Sequence, residues 1–384
     1  MERRNFIKIV TVSGAAVAFT GLAAGCKSDN ANPAHEGWDP EKLTESFTDF
    51  RLKILSYAML APSPHNKQPW KIKLADDNKM LLFIDSERLL PMTDIFHRQI
   101  YISQGTFLEI LSLSSNALGY DALIQFFTEG TDSVENTGKS PVAEITFSKL
   151  TVDKDVLFDY ITKRVTNRLV YDERTPDASQ LQTLARIFGD AECTIQFITD
   201  KNTTSQLADL MTEAMKVETY LDRTHAETVA MIRFTDEELV KFRDGFGYEN
   251  MGISGMSKFL AQTFAGRDKA FSDSFKEKTV SVTRDMTHSA NVFGIIFSKE
   301  NNRMDQIQVG RKYARLHLTA TQLGLAMHPM TQITEEYDEL ASIRNKFADI
   351  TGPGKGTAQM VVRVGFADTV PHAPRRPLKD LITV

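Results

Sequence analysis

The chain has 384 residues, enough for one large domain or two ordinary ones around a substantial core. Hydrophobic residues at 42% and charged ones at 25% are an ordinary globular balance, and a formal net charge of −5 gives no electrostatic basis for a nucleic-acid partner. Two cysteines, Cys26 and Cys193, exclude a cysteine-rich zinc or iron–sulfur site.

Residues 1–26 read as an export signal. Arg3 and Arg4 precede Phe6 and Lys8, and the charge-free run IVTVSGAAVAFTGLAAG follows. At 17 residues, rich in Gly, Ala, Ser and Thr, that run is short and weak for a membrane span. The paired arginines resemble the twin-arginine signal, which exports folded proteins. LAAGC resembles a lipoprotein cleavage box with Cys26 as the lipidated residue. These resemblances imply a periplasmic or cell-envelope protein held at a membrane through Cys26. Cys193, in the alternating run ECTIQFI, then has no disulfide partner and reads as a small buried hydrophobe.

Residues 27–45 are polar and broken by prolines, which predicts a flexible tether. An apolar helix pattern begins near Phe47 and runs through RLKILSYAML to the loop APSPHNKQPW, Ala61 to Trp70. KIKL and MLLFI around ADDNK predict a hairpin, and a long helix follows from about His97 to Leu118. Strands are expected at 142–147, 194–198 and 359–366 with helices between, an α+β arrangement. Residues 218–302 are less regular. Thr235 and Glu238 there form a capping box, and the segment is either a lid or a helical insertion packed on the surface. Arg98, Gly105, Leu118 and Gly119 recur as Arg303, Gly310, Leu323 and Gly324, all at an offset of 205 residues. In both copies Leu-Gly closes an amphipathic helix, which predicts two homologous halves.

Three clusters carry chemistry. In APSPHNKQPW, Pro62 and Pro64 stiffen the backbone that presents Ser63, His65, Asn66 and Gln68. Such a loop suits recognition of a polar ligand edge, and equally a helix-terminating turn capping itself. In KRVTNRLVY, Arg164, Thr166 and Arg168 alternate, so that two guanidiniums flank a hydroxyl. That is a phosphate grip, or a solvated basic turn. PRRPL places Arg375 and Arg376 between prolines, as a third cationic element or a plain basic tail.

The loop APSPHNKQPW resembles the Pro-Ser…Asn-x-Gln-Pro-Trp segment of the nitroreductase-like flavoproteins. RVTNR is similar to their Arg-x-Ser-x-Arg phosphate motif, with Thr166 for Ser, and RRPL to their C-terminal arginine segment. Here the arginine motif follows the Pro-Ser motif by about 100 residues, whereas ordinary members have it first. That order resembles the double-length branch, in which two halves are fused into a single-chain pseudodimer. The resemblance implies one FMN per chain, bound between a first half (46–155) and a second half (156–384). Pro62, Ser63, His65, Asn66, Gln68 and Gln99 would come from the first half. Arg164, Thr166, Asn167 and Arg168 would hold the phosphate from the second, with Arg375 and Arg376 closing on it. LAMHPMTQI matches the segment beside the flavin ring, which implies Pro329, Met330, Thr331 and Gln332 there, the last two near N5 and O4. The symmetry-related site lacks both motifs. The implied activity is two-electron oxidoreduction between small-molecule donor and acceptor by a monomer, with no metal and no catalytic side chain. Two other readings stay open: FMN storage beneath a lid, and lipid-anchored binding of another phosphate-bearing ligand.

Overall fold

The computed structural model describes residues 32–150, 153–189, 192–352 and 354–383, and the side chain of Phe264 is left aside. The export-signal reading, with Arg3, Arg4 and Cys26, lies outside the described residues. Helices α1 (Pro40–Leu43) and α2 (Phe50–Ala58) lead into the hairpin of β1 (Trp70–Ala75) and β2 (Lys79–Ile84). The long helix α3 (Arg98–Ala117) follows, then β3 (Tyr120–Phe126) and β4 (Ala143–Lys149). After α4 (Ala178–Ala185) and β5 (Cys193–Ile198) come α5 (Lys201–Tyr220) and α6 (Asp222–Ala230). Two-residue strands β6 (Ile232–Arg233) and β7 (Phe246–Gly247) bracket α7 (Asp236–Phe242), and α8 (Gly255–Phe264) and α9 (Asp273–His288) complete this stretch. The chain closes with β8 (Val292–Ser298), α10 (Arg303–Gln322), β9 (Ala326–Pro329), α11 (Ala341–Thr351), β10 (Thr357–Gly365) and β11 (Ile382–Thr383).

The architecture is α+β, built from two fused halves of one topology. One sheet runs β11-β1-β2-β4-β3 and the other β5-β8-β10-β9. Setting β5, β8, β9 and β10 against β1, β2, β3 and β4 reproduces both the order and the antiparallel sense of every shared pair. The helices between the second and third strands, α3 and α10, are the two that carry the repeat. Each ends at a left-handed glycine, Gly119 (φ 84°) and Gly324 (φ 70°), where L-residues are strained.

These helices cross back to back at their glycines. A Cβ on Gly105 would stand 2.0 Å from the carbonyl oxygen of Ile307, and one on Gly310 would stand 1.9 Å from that of Ile102. Ile102 and Ile307 are themselves 205 residues apart, so the crossing obeys a pseudo-two-fold axis. Only residues without a side chain let two backbones approach so closely.

Two departures from symmetry shape the site. In the first half the β1–β2 hairpin closes over Asp76–Asn78, whereas residues 199–291 separate β5 from β8. Because β8 (Val292–Ser298) belongs to the second sheet, the insertion starts before residue 218 and ends before residue 302. Its helix α5 packs Leu207, Met211 and Ala214 on Phe293 and Ile295 of the second sheet, while α6 to α8 gather around a small core of Val229, Ile232, Phe234 and Tyr248. Thr235 caps α7 through the Glu238 N–H, but the Glu238 carboxylate turns to Phe234 N instead of closing the box. The second departure is at the ends. Strand β11 crosses to pair in parallel with β1 of the first sheet. Residues 33–43, read above as part of a tether, form a 3-10 turn and α1 instead, with Trp38 stacked on His372 and donating to Ala373 O (2.8 Å). Among the described residues no helix is long and apolar enough to cross a membrane.

Candidate functional site

The stiff loop after α2 lies at the seam between the halves. His65, Asn66 and Gln68 all take positive φ (47°, 53° and 52°), a cost that persists only where surrounding contacts enforce it. Ser63 Oγ accepts the Gln68 N–H at 2.9 Å and closes the turn, and Pro62 O accepts the Thr106 hydroxyl. Asn66 Nδ2 donates to Gly245 O and Pro374 O, both at 2.9 Å, and its Oδ1 accepts from Arg375 Nη1 at 2.6 Å. Gln68 Nε2 donates to Arg243 O, and Gln68 Oε1 accepts the Arg376 N–H (2.9 Å each). Both amides brace the C-terminal segment and the insertion. Their amide donors and acceptors meet partners within the chain.

Three guanidiniums converge here. Arg164 is buried and, among the described residues, donates to Leu60 O alone (3.1 Å). Arg375, also buried, reaches Leu60 O and Ala61 O from its Nη2, while its Nε has no partner. Half-buried Arg168 makes no ion pair among the described residues and lies over the Phe246 ring, 4.9 Å from its centroid. Burial brings Arg164 and Arg168 down to about 10 and pushes Arg375 down as well. Arg164 acts on Arg375, the Tyr313 hydroxyl on Arg164 and Arg168, and Arg363 and Tyr171 on Arg168; among the described residues none of the three makes an ion pair with a carboxylate. Burial, then Arg168 and Lys67, lowers His65 to about 4, so its ring is neutral, with Nδ1 unpartnered. Uncompensated buried charge is costly, so this cluster calls for an anion.

Arg376 does not join it. Its guanidinium turns to Gln68 O, Asp380 O and the Asp85 carboxylate. Asn167 is likewise internal, donating to Asp368 O and accepting from Leu169 N. Sequence reasoning missed the residue that fixes this motif. Arg363, fully buried in β10, donates to the carbonyls of Asn167 and Leu169, on either side of Arg168, and stacks over Tyr171. An arginine inside an otherwise apolar strand was the available cue.

At the other end of the seam the structure brings Gln99 of α3 to Thr331, just past β9. The Thr331 hydroxyl donates to Gln99 Oε1 (3.2 Å), and Gln99 Nε2 donates to Glu335 (3.3 Å). Burial, with Glu218 nearby, holds the Glu335 carboxyl well above the usual carboxylate range. Gln332 Oε1 is buried without a partner. Met330 packs in the core, and half-buried Pro329 stands opposite Val362 in the sheet. The pseudo-two-fold axis maps Gln99 onto Met304 and Gln332 onto Phe127, and these line an open cleft of about 330 Å³ with Arg303 and Asn302. Met304 and Phe127 stand there in place of amides.

The insertion covers the arginines. Arg88 pairs with Asp244 (2.9 Å), and Glu227 accepts from Met92 N, Thr93 N and the Thr93 hydroxyl. These ties hold the Arg243–Gly247 segment, with Phe246, against the first half.

No protein-family model matches the chain. It is 27% identical over 348 residues to the "Putative NAD(P)H nitroreductase acg" of Mycobacterium tuberculosis, covering 88% of this chain and 96% of that one. A second protein of that organism, likewise named a nitroreductase, is 24% identical over 367 residues, covering 91% and 96%. The resemblance to nitroreductase-like proteins holds along the chain. Among solved structures, a nitroreductase from Anabaena variabilis shares 10% identity, covering 86% of this chain and 91% of its own, at a TM-score of 0.37. The FMN-dependent nitroreductase NfnB from Mycobacterium smegmatis shares 15%, covering 58% and 94%, at 0.36. Likenesses that loose carry no weight.

Proposed function

We propose that the chain is an exported FMN-dependent oxidoreductase of the nitroreductase-like kind, holding one FMN between its halves. One observation carries the reading: Arg164 and Arg375 both donate to Leu60 O, Arg164 and Arg168 both neighbour Tyr313, and among the described residues none of the three pairs with a carboxylate. A phosphate dianion supplies the missing charge, with charge-assisted bonds to the guanidiniums. The unpartnered Arg375 Nε, His65 Nδ1 and Gln332 Oε1 fit the same ligand, with phosphate at one end and a polar ring edge at the other. Bound FMN supplies two-electron, hydride-type transfer at N5. The chain's own residues bind and exclude water: Arg164, Arg168 and Arg375 hold the phosphate, Thr166 stands between two of them, and Thr331 and Gln332 orient the ring edge. Phe246 and the Arg243–Gly247 segment keep solvent from the guanidiniums. The relatives named as nitroreductases support this chemistry, with small-molecule donor and acceptor.

A second reading, FMN sequestration without turnover, is favoured by the ties that hold the insertion over the site. Purified protein saturated with FMN is expected to bind about one per chain, to bleach with a reductant and to reoxidise with an acceptor. Bleaching without reoxidation by any acceptor selects sequestration. Two FMN per chain would mean that the Met304–Phe127 cleft is a working site. No uptake at all removes both readings. For the address, Arg3→Lys with Arg4→Lys is expected to keep the chain in the cytoplasm, and Cys26→Ser to release it from the membrane fraction. Unchanged fractionation of both variants removes the export reading.

A further inference from the structure

Helix α8 turns its apolar side outward. Met256, Phe259 and Leu260 stand at i, i+3 and i+4 and are 56%, 61% and 42% exposed. A helix of a soluble domain ordinarily buries such a stripe. Its polar side faces the protein instead: Lys258 pairs with Asp236 (2.7 Å) and Glu249 (3.5 Å), and Gln262 donates to Asp236 (3.2 Å). The Tyr248 hydroxyl donates to Ala265 O at 2.7 Å, and Ala261 packs on the small core that includes Tyr248. Rolling the helix over to hide the stripe would break both ion pairs and leave Tyr248 unpartnered. The outward face is therefore fixed by its contacts.

The described chain begins beside this helix. His35 lines one small cleft with Lys258 and Gln262, and Glu36 pairs with Arg243 directly after α7. Pro33 lies seven positions after Cys26, a reach of at most about 25 Å when fully extended. An acyl chain on Cys26 would keep Pro33, and with it the cleft that His35 lines beside α8, near lipid.

We propose that the Met256–Phe259–Leu260 face of α8 docks on the lipid surface, seated at the headgroup boundary beside the Cys26 anchor. The inference rests on the export reading. An amphipathic helix lying in the membrane plane buries its apolar face in this way, with its polar side turned away from lipid. Here the polar side is occupied by the protein itself, so lipid contact leaves no charge to desolvate on the docking face.

The test uses the chain from Lys27 onward, which keeps every described residue and carries no lipid. It is sedimented with vesicles of phosphatidylethanolamine and phosphatidylglycerol. The unaltered chain is expected to travel with the vesicles. The triple variant Met256→Ser/Phe259→Ser/Leu260→Ser should lower that partition by about tenfold or more without changing the melting temperature. Val156→Ser, at a 62% exposed position outside the insertion, should leave it unchanged. Failure of the unaltered chain to bind vesicles, or equal binding by the triple variant, overturns the proposal. A concentration-dependent dimer in ultracentrifugation that the triple variant abolishes assigns the stripe to a second copy and overturns it too. Because no Cys26 is present, these outcomes are independent of the fractionation test of the anchor.

Discussion

Gly105→Ala and Gly310→Ala are each expected to weaken the fold severely, although alanine is the better helix former. In an isolated helix the exchange would gain about 1 kcal/mol. Here the new methyl meets a backbone carbonyl of the opposite helix at 2.0 Å or 1.9 Å, and a carbonyl cannot rotate aside as a side chain can. The two helices must separate along their whole crossing, loosening the core that Ile307, Ala314 and Leu318 of α10 share with the first half. A loss of about 3 kcal/mol or more is expected for each, the upper end of overpacking costs and a large share of a domain's stability. Gly266→Ala serves as the control. Gly266 has no neighbour within 4 Å and an ordinary φ of −74°, so alanine there should be neutral or gain up to about 1 kcal/mol. Urea unfolding of the three variants measures this. A midpoint for Gly105→Ala or Gly310→Ala at or above the unaltered value would show that the halves do not meet at these glycines.

Several elements that sequence reasoning recovered have one wet face. The β1–β2 hairpin, β4 and β5 alternate because one side of each meets solvent or a polar neighbour, whereas α3 and β10 were legible although most residues of each are buried. Strand β8, VFGIIFS, was missed for the opposite reason. All seven residues are buried between α10 and the α5 side, so no periodicity survives. Strand β3 alternates in burial, but Leu123 stands outward at 60% exposure and blurs the polar positions. Four matches at a 205-residue offset were slender as sequence, and became decisive once two of them proved to be the glycines of one crossing. At the site, the arginine motif was legible because Arg164 and Arg168 are neighbours along the chain. Arg363 and Tyr313 were not, since packing brings them from about 150–200 residues away. The loop 61–70 was recognised as a place, but the intrachain partners of its amides were not legible, because Gly245, Pro374 and Arg375 reach it only through the tertiary fold.

These internal contacts decide what mutagenesis of the proposed binding site should show. Arg168→Ala is expected to weaken FMN by roughly 2–5 kcal/mol, the scale for leaving a desolvated charge without its partner. Riboflavin has no phosphate and should lose almost nothing. Asn66→Ala should now follow the same pattern as Arg168→Ala. Asn66 Oδ1 holds Arg375 Nη1 at 2.6 Å, and its Nδ2 holds the Pro374 carbonyl, so its loss releases the third guanidinium of the phosphate grip. Gln332→Ala, at the far end of the seam, should instead weaken FMN and riboflavin alike. The scale there is roughly 1–3 kcal/mol for an unsatisfied buried partner on the ring. Titrating both ligands against the three variants by flavin fluorescence separates the two ends. If Arg168→Ala costs riboflavin as much as FMN, the phosphate does not lie on these arginines. If Asn66→Ala affects both ligands equally while Arg168→Ala does not, then Asn66 touches the flavin directly and its bond to Arg375 is incidental to binding. A phosphate-selective loss in both variants would tie the loop and the C-terminal segment into one anion site, built from the two ends of the folded chain.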